Sequence, residues 1–182
     1  GTERETIVKI FKLGVILLIL FYPPMTFFLM NSGYDMSSIM MDQLAFDHFK
    51  VYSLYSYLIE YGDLFYYTWG QVLDYGFMAS YGCVFFSLAV LTSREINKET
   101  NPNAEKIGNI FGILAIVSAI ADAFENLFIL LSLANPLTFP AIYAILMSTF
   151  ALIKWIILLL VLLYVIIARI KLWSDNKSKK AE

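Results

Sequence analysis

Four apolar runs, each long enough to cross a lipid bilayer as a helix, constrain this chain more than any other feature of its sequence. They cover residues 7–30, 72–93, 107–134 and 140–170. A hydrocarbon core about 30 Å thick needs about 20 helical residues, and in lipid only helices and closed barrels satisfy their own backbone groups. The sequence therefore predicts an all-α integral membrane protein, with a single transmembrane domain built as a four-transmembrane-helix bundle.

The composition agrees with lipid as the main solvent. Hydrophobic residues make up 59% of the 182 residues and charged residues 15%, whereas soluble domains carry about 25% charged residues. This excludes a soluble globular enzyme, and a net charge of −2 argues against nucleic acid as a partner. With one cysteine, Cys83, and one histidine, His48, the chain is expected to hold no disulfide, no His/Cys metal site and no cofactor.

The first apolar run resembles a signal peptide because Lys9 and Lys12 precede it. It continues through Pro23 and Pro24 without a small-residue cleavage site, so we expect a retained helix. The two prolines are expected to kink or end its outer third.

The basic residues predict the orientation of the bundle. By the positive-inside rule, the end that carries most lysines and arginines is cytoplasmic, together with both termini and a tail over residues 171–182. Residues 31–71 and the turn at Asn135 and Pro136 then face outward. Eleven of the 13 basic residues lie at the predicted cytoplasmic end: Arg4, Lys9, Lys12, Arg94, Lys98, Lys106, Arg169, Lys171, Lys177, Lys179 and Lys180.

Residues 31–71 form an aromatic-rich segment that we expect to be partly helical and extracytoplasmic. Ten aromatic residues lie between Ala45 and Trp69, and tyrosine and tryptophan favour the headgroup layer. One interpretation is a helix or helical hairpin on the membrane surface, with Phe49, Tyr52 and Ile59 on its apolar face. The other, compatible with the first, is an acidic vestibule that concentrates cations. Its members would be Asp35, Asp42, Asp47, Glu60 and Asp63.

The strongest functional signal is a set of polar side chains inside the third and fourth runs. Asp122, Glu125 and Asn126 share one helix face by their spacing, and Lys154 lies near the middle of the fourth run. A charge at the bilayer centre costs about 2.5–3.5 kcal/mol, so we expect these groups inside the bundle. Counted along the helices from their shared turn, Asp122 and Lys154 lie at similar depth. This predicts a salt bridge between Lys154 and one of the two carboxylates.

Small residues predict which helix faces point inward, because they allow close helix packing. Asp74, near the outer end of the second run, either reaches the same cavity as the buried charges or stays at the outer interface. The small residues on these faces are Gly76, Ala79, Ser80, Cys83 and Ser87 in the second run and Gly108, Gly112, Ala115 and Ala119 in the third. Ala144, Met147 and Ala151 follow the same helical spacing in the fourth.

The charge count turns this cluster into a candidate site. Asp122 and Glu125 against Lys154 leave one carboxylate unmatched, and two if Asp74 turns inward. An unmatched buried carboxylate holds a proton or attracts a cation. The sequence thus predicts a polar intramembrane site for a cation, a proton or a small ligand in a channel- or transporter-like protein. Its binding residues would be Asp122, Glu125, Asn126, Lys154 and Asp74.

Three other interpretations remain open. A static ion pair would only hold the third and fourth helices in register. A membrane enzyme or binder would act on a lipid or sterol-like substrate with a carboxylate as acid or base, but no hydrolase, phosphate-binding or metal-ligand motif supports catalysis. An accessory subunit would present the polar stripe to a partner helix. Besides the lipid bilayer, the expected partner is a second copy of the chain or another membrane protein.

Overall fold

The structure, a computed structural model, describes residues 2–96 and 101–178, excluding the side chains of Met36, Met40 and residues 175–178. The described residues form helices and no strands, which confirms the all-α prediction. Four of the helices, α1, α4, α5 and α6, are long and apolar enough to span a membrane. The elements in chain order are α1 (Thr2–Asn31), α2 (Met36–Asp42), α3 (His48–Glu60), α4 (Leu64–Glu95), α5 (Ala104–Leu133) and α6 (Ala141–Ser178).

Helix α1 continues through both of its prolines to Asn31, so of the two outcomes expected for Pro23 and Pro24, a kink or an end of the helix, the end is wrong. The physical reason is packing on both sides of the prolines against the same neighbour. Before them, Gly14 lies against Cys83 of α4, and after them the Leu29 side chain fills the space over Gly70 of α4. These contacts hold both halves of α1 on α4.

The four long helices pack in a sequence that leaves one side of the bundle open. Helix α1 packs on α4, α4 on α5 and α5 on α6, while α4 also meets α6. Within the described part of the chain, α1 and α6 are not packed neighbours. A groove is therefore left between α1 and α6, with α4 and α5 behind it.

The predicted inward faces are correct for α5 and α6 and only partly correct for α4. Gly108, Gly112 and Ala115 of α5 are buried, as are Ala144, Met147 and Ala151 of α6. On α4, by contrast, Gly76 lies against the Phe21 ring of α1, and Ser80 and Cys83 lie against Gly14. Ala79 is exposed. Part of this α4 stripe thus serves the contact with α1, whereas the α5 and α6 stripes continue into the buried charges.

Acidic residues of the outer segment cap helices. The carboxylates of Asp35, Asp47 and Asp63 accept hydrogen bonds from the first backbone N–H groups of α2, α3 and α4, respectively. Asp42 accepts a hydrogen bond from the Tyr34 hydroxyl at 2.7 Å. Aspartate is a preferred N-cap because it satisfies free N–H groups and complements the helix dipole. These local roles support the structural interpretation of the acidic residues.

Helix α3 packs on the bundle through one of its two apolar faces. Phe49, Tyr52 and Ile59, expected on the face that meets the membrane surface, lie on the other face and are exposed, so their contact with the membrane stays a prediction. Both faces are rich in apolar residues, and the face that meets the apolar core of the bundle is the buried one. Its members follow helical spacing and join a core cluster with Ile129 and Met147: Val51, Leu54, Tyr55 and Leu58. Helix α3 thus covers one end of the bundle, which we call the "α3 end".

Ion pairs gather at the opposite end, which carries the N-terminus. Arg94 lies 3.2 Å from Glu3, and Arg169 lies 3.0 Å from Glu95. Of the basic residues assigned to this end, Lys98, Lys179 and Lys180, and the side chain of Lys177, lie outside the described residues. Four apolar helices are compatible with a multi-pass membrane protein. The cytoplasmic placement of this end stays a prediction.

Candidate functional site

The centre of the candidate site is an ion cluster between α5 and α6. The Nζ atom of Lys154 lies 2.9 Å from Asp122 Oδ1 and 2.5 Å from Glu125 Oε2. All three residues are buried: the exposed fraction is 5% for Lys154, 3% for Asp122 and 0% for Glu125. The predicted salt bridge is therefore present, and it includes both carboxylates instead of one.

Helix α4 adds a third carboxylate to the cluster. The Nδ2 atom of Asn126 donates to Asp74 Oδ2 at 2.7 Å and is 3.4 Å from the main-chain oxygen of Gln71. Asp74 was expected either at the cavity of the buried charges or at the outer interface. The structure places it at the cavity, beside Asn126. The five residues named from the sequence thus form two contact groups that meet at neighbouring positions of α5: Lys154 with Asp122 and Glu125, and Asn126 with Asp74. We call the two groups together the network.

Three further polar residues, which were not predicted from the sequence, lie beside the network. The Tyr81 hydroxyl donates to Asp122 Oδ2 at 2.9 Å, and the Ser118 hydroxyl donates to the main-chain oxygen of Lys154 at 3.2 Å. Gln71 is buried one turn before Asp74. Gln71, Asp74 and Tyr81 share one face of α4 by their spacing. That spacing is a usable signal in the sequence, whereas the small residues of α4 mark the opposite face, which packs on α1.

The cluster has more hydrogen-bond acceptors than donors. Oε2 of Glu125 has the Lys154 ammonium at 2.5 Å as its partner. Two other buried atoms of the cluster have no hydrogen-bond partner among the described residues: Oε1 of Glu125 and Oδ1 of Asn126. Buried polar atoms are normally hydrogen-bonded. Because both atoms are acceptors, the group that this cluster lacks is a donor.

The groove between α1 and α6 gives access to part of the cluster. It has a volume of about 250 Å³. Five polar side chains on its surface form what we call the polar floor: Gln71, Asp74, Tyr81, Asp122 and Lys154. The remaining lining is apolar except for Gln43, which directly follows α2. The apolar members come from α1, α2, α4 and α6: Met25, Leu29, Ile39, Phe77, Phe85, Trp155 and Leu158.

Metal ligation and histidine chemistry find little support in this geometry. Across residues 2–96 and 101–178, no group of three or more His, Cys, Asp or Glu side chains is placed to hold a metal ion. His48 lies on α3, where its ring packs edge-on against Phe139 with the ring centroids 4.6 Å apart. What the site offers chemically is a set of carboxylate and amide acceptors around one fixed lysine.

Comparison with known proteins adds no relative: no family model, curated protein or solved structure matches the chain. Its function is therefore argued from geometry and charge.

Proposed function

We propose that this chain is a multi-pass membrane protein that holds a cation, a proton or a small cationic ligand on the polar floor of the groove, in a channel- or transporter-like role. The observation that carries the proposal is the charge balance of the network. Asp74, Asp122 and Glu125 share it with a single basic side chain, Lys154. A carboxylate held away from water is stabilised by a proton or a positive charge.

Asp74 is the group that separates this proposal from a purely structural ion pair. Lys154 contacts Asp122 and Glu125, and within the described residues Asp74 has the neutral amide of Asn126 as its side-chain partner. A pair that only joins α5 and α6 needs no carboxylate on α4. Asp74 also lies on the groove surface, where a ligand can reach it.

The position of the groove favours entry from the side of the bundle. Helix α3 covers one end of the bundle with its buried apolar face. The groove instead opens on the side, between α1 and α6, which are not packed against each other. Trp155, at its edge, is 37% exposed. Four helices are few for alternating access, and the first two spans carry no matching set of central charges. These features support binding from the lipid phase more than flow through a water-filled pore in one chain.

Binding can be tested with the full chain in nanodiscs of neutral phosphatidylcholine. Trp155 lies beside Lys154 in the groove, and replacing Trp69 and Trp173 with phenylalanine leaves it as the sole tryptophan. We expect a saturable change in Trp155 fluorescence with methylammonium, Na⁺, K⁺ or protons. Asp74→Asn should weaken the response about tenfold, which corresponds to about 1.4 kcal/mol, because one charged contact is lost.

Glu60→Gln is the matched control, since it removes an exposed carboxylate at the α3 end. It should leave the response unchanged. A parent protein that responds to none of the three cations or to pH, or an Asp74→Asn protein that responds like the parent, contradicts the proposed site. Flux of the bound cation into liposomes tests the transport-like role separately, and binding without flux would contradict that part.

A further inference from the structure

The groove has two chemically different parts, and a bare cation would use only one of them. A water molecule occupies about 30 Å³ in the liquid, so a cavity of about 250 Å³ holds much more than one small ion. The polar floor lies against walls that include Met25, Phe77, Phe85, Trp155 and Leu158. Ligand sites commonly combine apolar walls with a few polar groups that fix orientation. The lining therefore indicates a ligand with an apolar body and one polar end.

The polar end of that ligand is defined by what the floor lacks. Gln71 is only 2% exposed and lines the groove. Its main-chain oxygen lies near the Asn126 amide, but its side-chain amide makes no hydrogen bond with the described residues. Asp74 accepts one neutral amide hydrogen bond. A positively charged group with N–H donors matches this floor, whereas an alcohol lacks the charge and a quaternary ammonium lacks the donors.

The apolar part of the ligand has a route from the bilayer. The groove lies where α1 and α6 are not packed together, so an alkyl chain can pass from lipid to the groove walls without crossing water. Its wall extends along α4 from Phe77 to Phe85, eight residues or about 12 Å of helix. A single alkyl chain fits along this length, with its head at Asp74 one turn before Phe77.

We propose that the groove binds a single-chain amphiphile with a primary ammonium group, the ammonium at Asp74 and the alkyl chain along Phe77, Phe85 and Trp155. This inference rests on the proposed function and names the chemical class of its ligand. The ammonium donates to the Asp74 carboxylate and to the side-chain oxygen of Gln71. Lys154 stays paired with Asp122 and Glu125.

The test uses a brominated amine, since bromine quenches a nearby tryptophan. Omega-bromododecylamine is added to nanodiscs that hold the full chain with Trp155 as its sole tryptophan. Omega-bromododecanol is the control at matched mole fractions in the bilayer. It measures how much quenching a probe dissolved in the lipid causes at the exposed edge of Trp155 without binding in the groove. We expect saturable quenching by the amine at about tenfold lower mole fraction than by the alcohol, because a charged hydrogen-bonded contact is gained. The omega-bromododecyl trimethylammonium analogue should behave like the alcohol or fall between the two.

Two variants separate the head from the chain. Asp74→Asn should reduce quenching by the amine to the level of the alcohol. Leu158→Phe narrows the apolar part of the groove. It should weaken quenching by the brominated amine and leave the fluorescence response to methylammonium unchanged. Leu159→Phe, on the next and more exposed position of α6, is its control and should change neither.

The outcomes distinguish this inference from the function on which it rests. If amine and alcohol quench the parent equally while methylammonium still binds, the ligand class is wrong and the cation site stands. If the trimethylammonium analogue matches the primary amine, the requirement for N–H donors is wrong. If neither the amine nor any small cation or pH change acts on the parent, both proposals fail. The comparison of probes in the parent does not depend on the folding of any site variant.

Discussion

The side-chain amide of Asn126 on α5 donates a hydrogen bond of 2.7 Å to Asp74 on α4. The same helix receives Lys154 of α6 at Asp122 and Glu125. Helix α5 therefore contacts α4 and α6 through buried polar groups as well as through apolar packing. Polar side chains of α5 thus link α4 on one side and α6 on the other. Substitutions at the candidate site should therefore alter both ligand binding and stability, and the two effects need separate measurements.

Removing the central cation should destabilise the protein strongly. Lys154→Met leaves Asp122 and Glu125 buried without their positive partner, so we expect a loss of about 3–5 kcal/mol in the free energy of unfolding. Adding Asp122→Asn to Lys154→Met should recover part of this loss. Denaturant unfolding in detergent measures both. Lys9→Met, at an exposed position, is the control, and equal stability of the two single variants would count against a buried ion cluster.

Asp74 and Asn126 should differ in their effect on stability although they contact each other. Asp74→Asn keeps an oxygen that can accept from Asn126, so we expect a change below about 1 kcal/mol. Asn126→Leu leaves the Asp74 carboxylate without its donor and should cost about 1–3 kcal/mol. Thermal unfolding of the two variants side by side makes the comparison. If Asp74→Asn is as unstable as Asn126→Leu, this hydrogen bond is not what Asp74 contributes to the fold.

A methyl group at Gly108 should separate α4 from α5. An added Cβ would overlap the Ser93 side chain and would lie 2.9 Å from the main-chain oxygen of Ala89, so Gly108→Ala should cost about 1–3 kcal/mol by overpacking. Ser93→Gly in the same chain should restore only part of the stability, because the close contact with Ala89 remains. Gly82→Ala, where the nearest atom is the Ala119 Cβ at 3.0 Å, should cost less and serves as the comparison. Melting temperatures of the four proteins test the prediction, and a Gly108→Ala protein no less stable than Gly82→Ala would refute it.

The capping role of Asp63 can be separated from its charge. Its Oδ1 accepts from the backbone N–H groups of Phe65 at 2.9 Å and Tyr66 at 3.3 Å. Asp63→Ala should cost about 1 kcal/mol, whereas Asp63→Asn should lie close to the parent because asparagine also caps helices. Circular dichroism during heating reports both, with Glu60→Ala as a control at a neighbouring exposed site. An acidic vestibule would instead make alanine and asparagine equivalent in cation binding.

The outer segment should titrate at high pH through Tyr34. Burial and the hydrogen bond to Asp42 raise the pKa of Tyr34 from its ordinary 10.0 to about 12. The stability that this contact contributes is fully present below the ordinary pKa and is lost as pH rises through the raised one. Phenolate absorbance of the parent minus that of Tyr34→Phe isolates this transition, and Asp42→Asn should shift it downward. A transition at the ordinary pKa would rule out the contact.

Much of the site was predictable because it depends on local geometry. A helix rises 1.5 Å per residue, so counting from the turn between α5 and α6 placed Asp122 and Lys154 at one depth, and they are paired. The packed face of α3 was not predictable in this way. Phe49 and Ile59 are as apolar as Val51, Leu54 and Leu58, and only the neighbours of the helix decide which set is buried.

By itself, the sequence determined the four long apolar helices, the gathering of basic residues towards one end and the depth of the buried charges. These properties follow from composition and from the fixed rise of a helix. Only the tertiary structure decided that Asp74 turns to Asn126, that Lys154 meets two carboxylates, and that α1 and α6 leave a groove open to the polar floor. Those features depend on how far each helix is rotated about its axis and on which helix it packs against, and contacts distant in the chain set both.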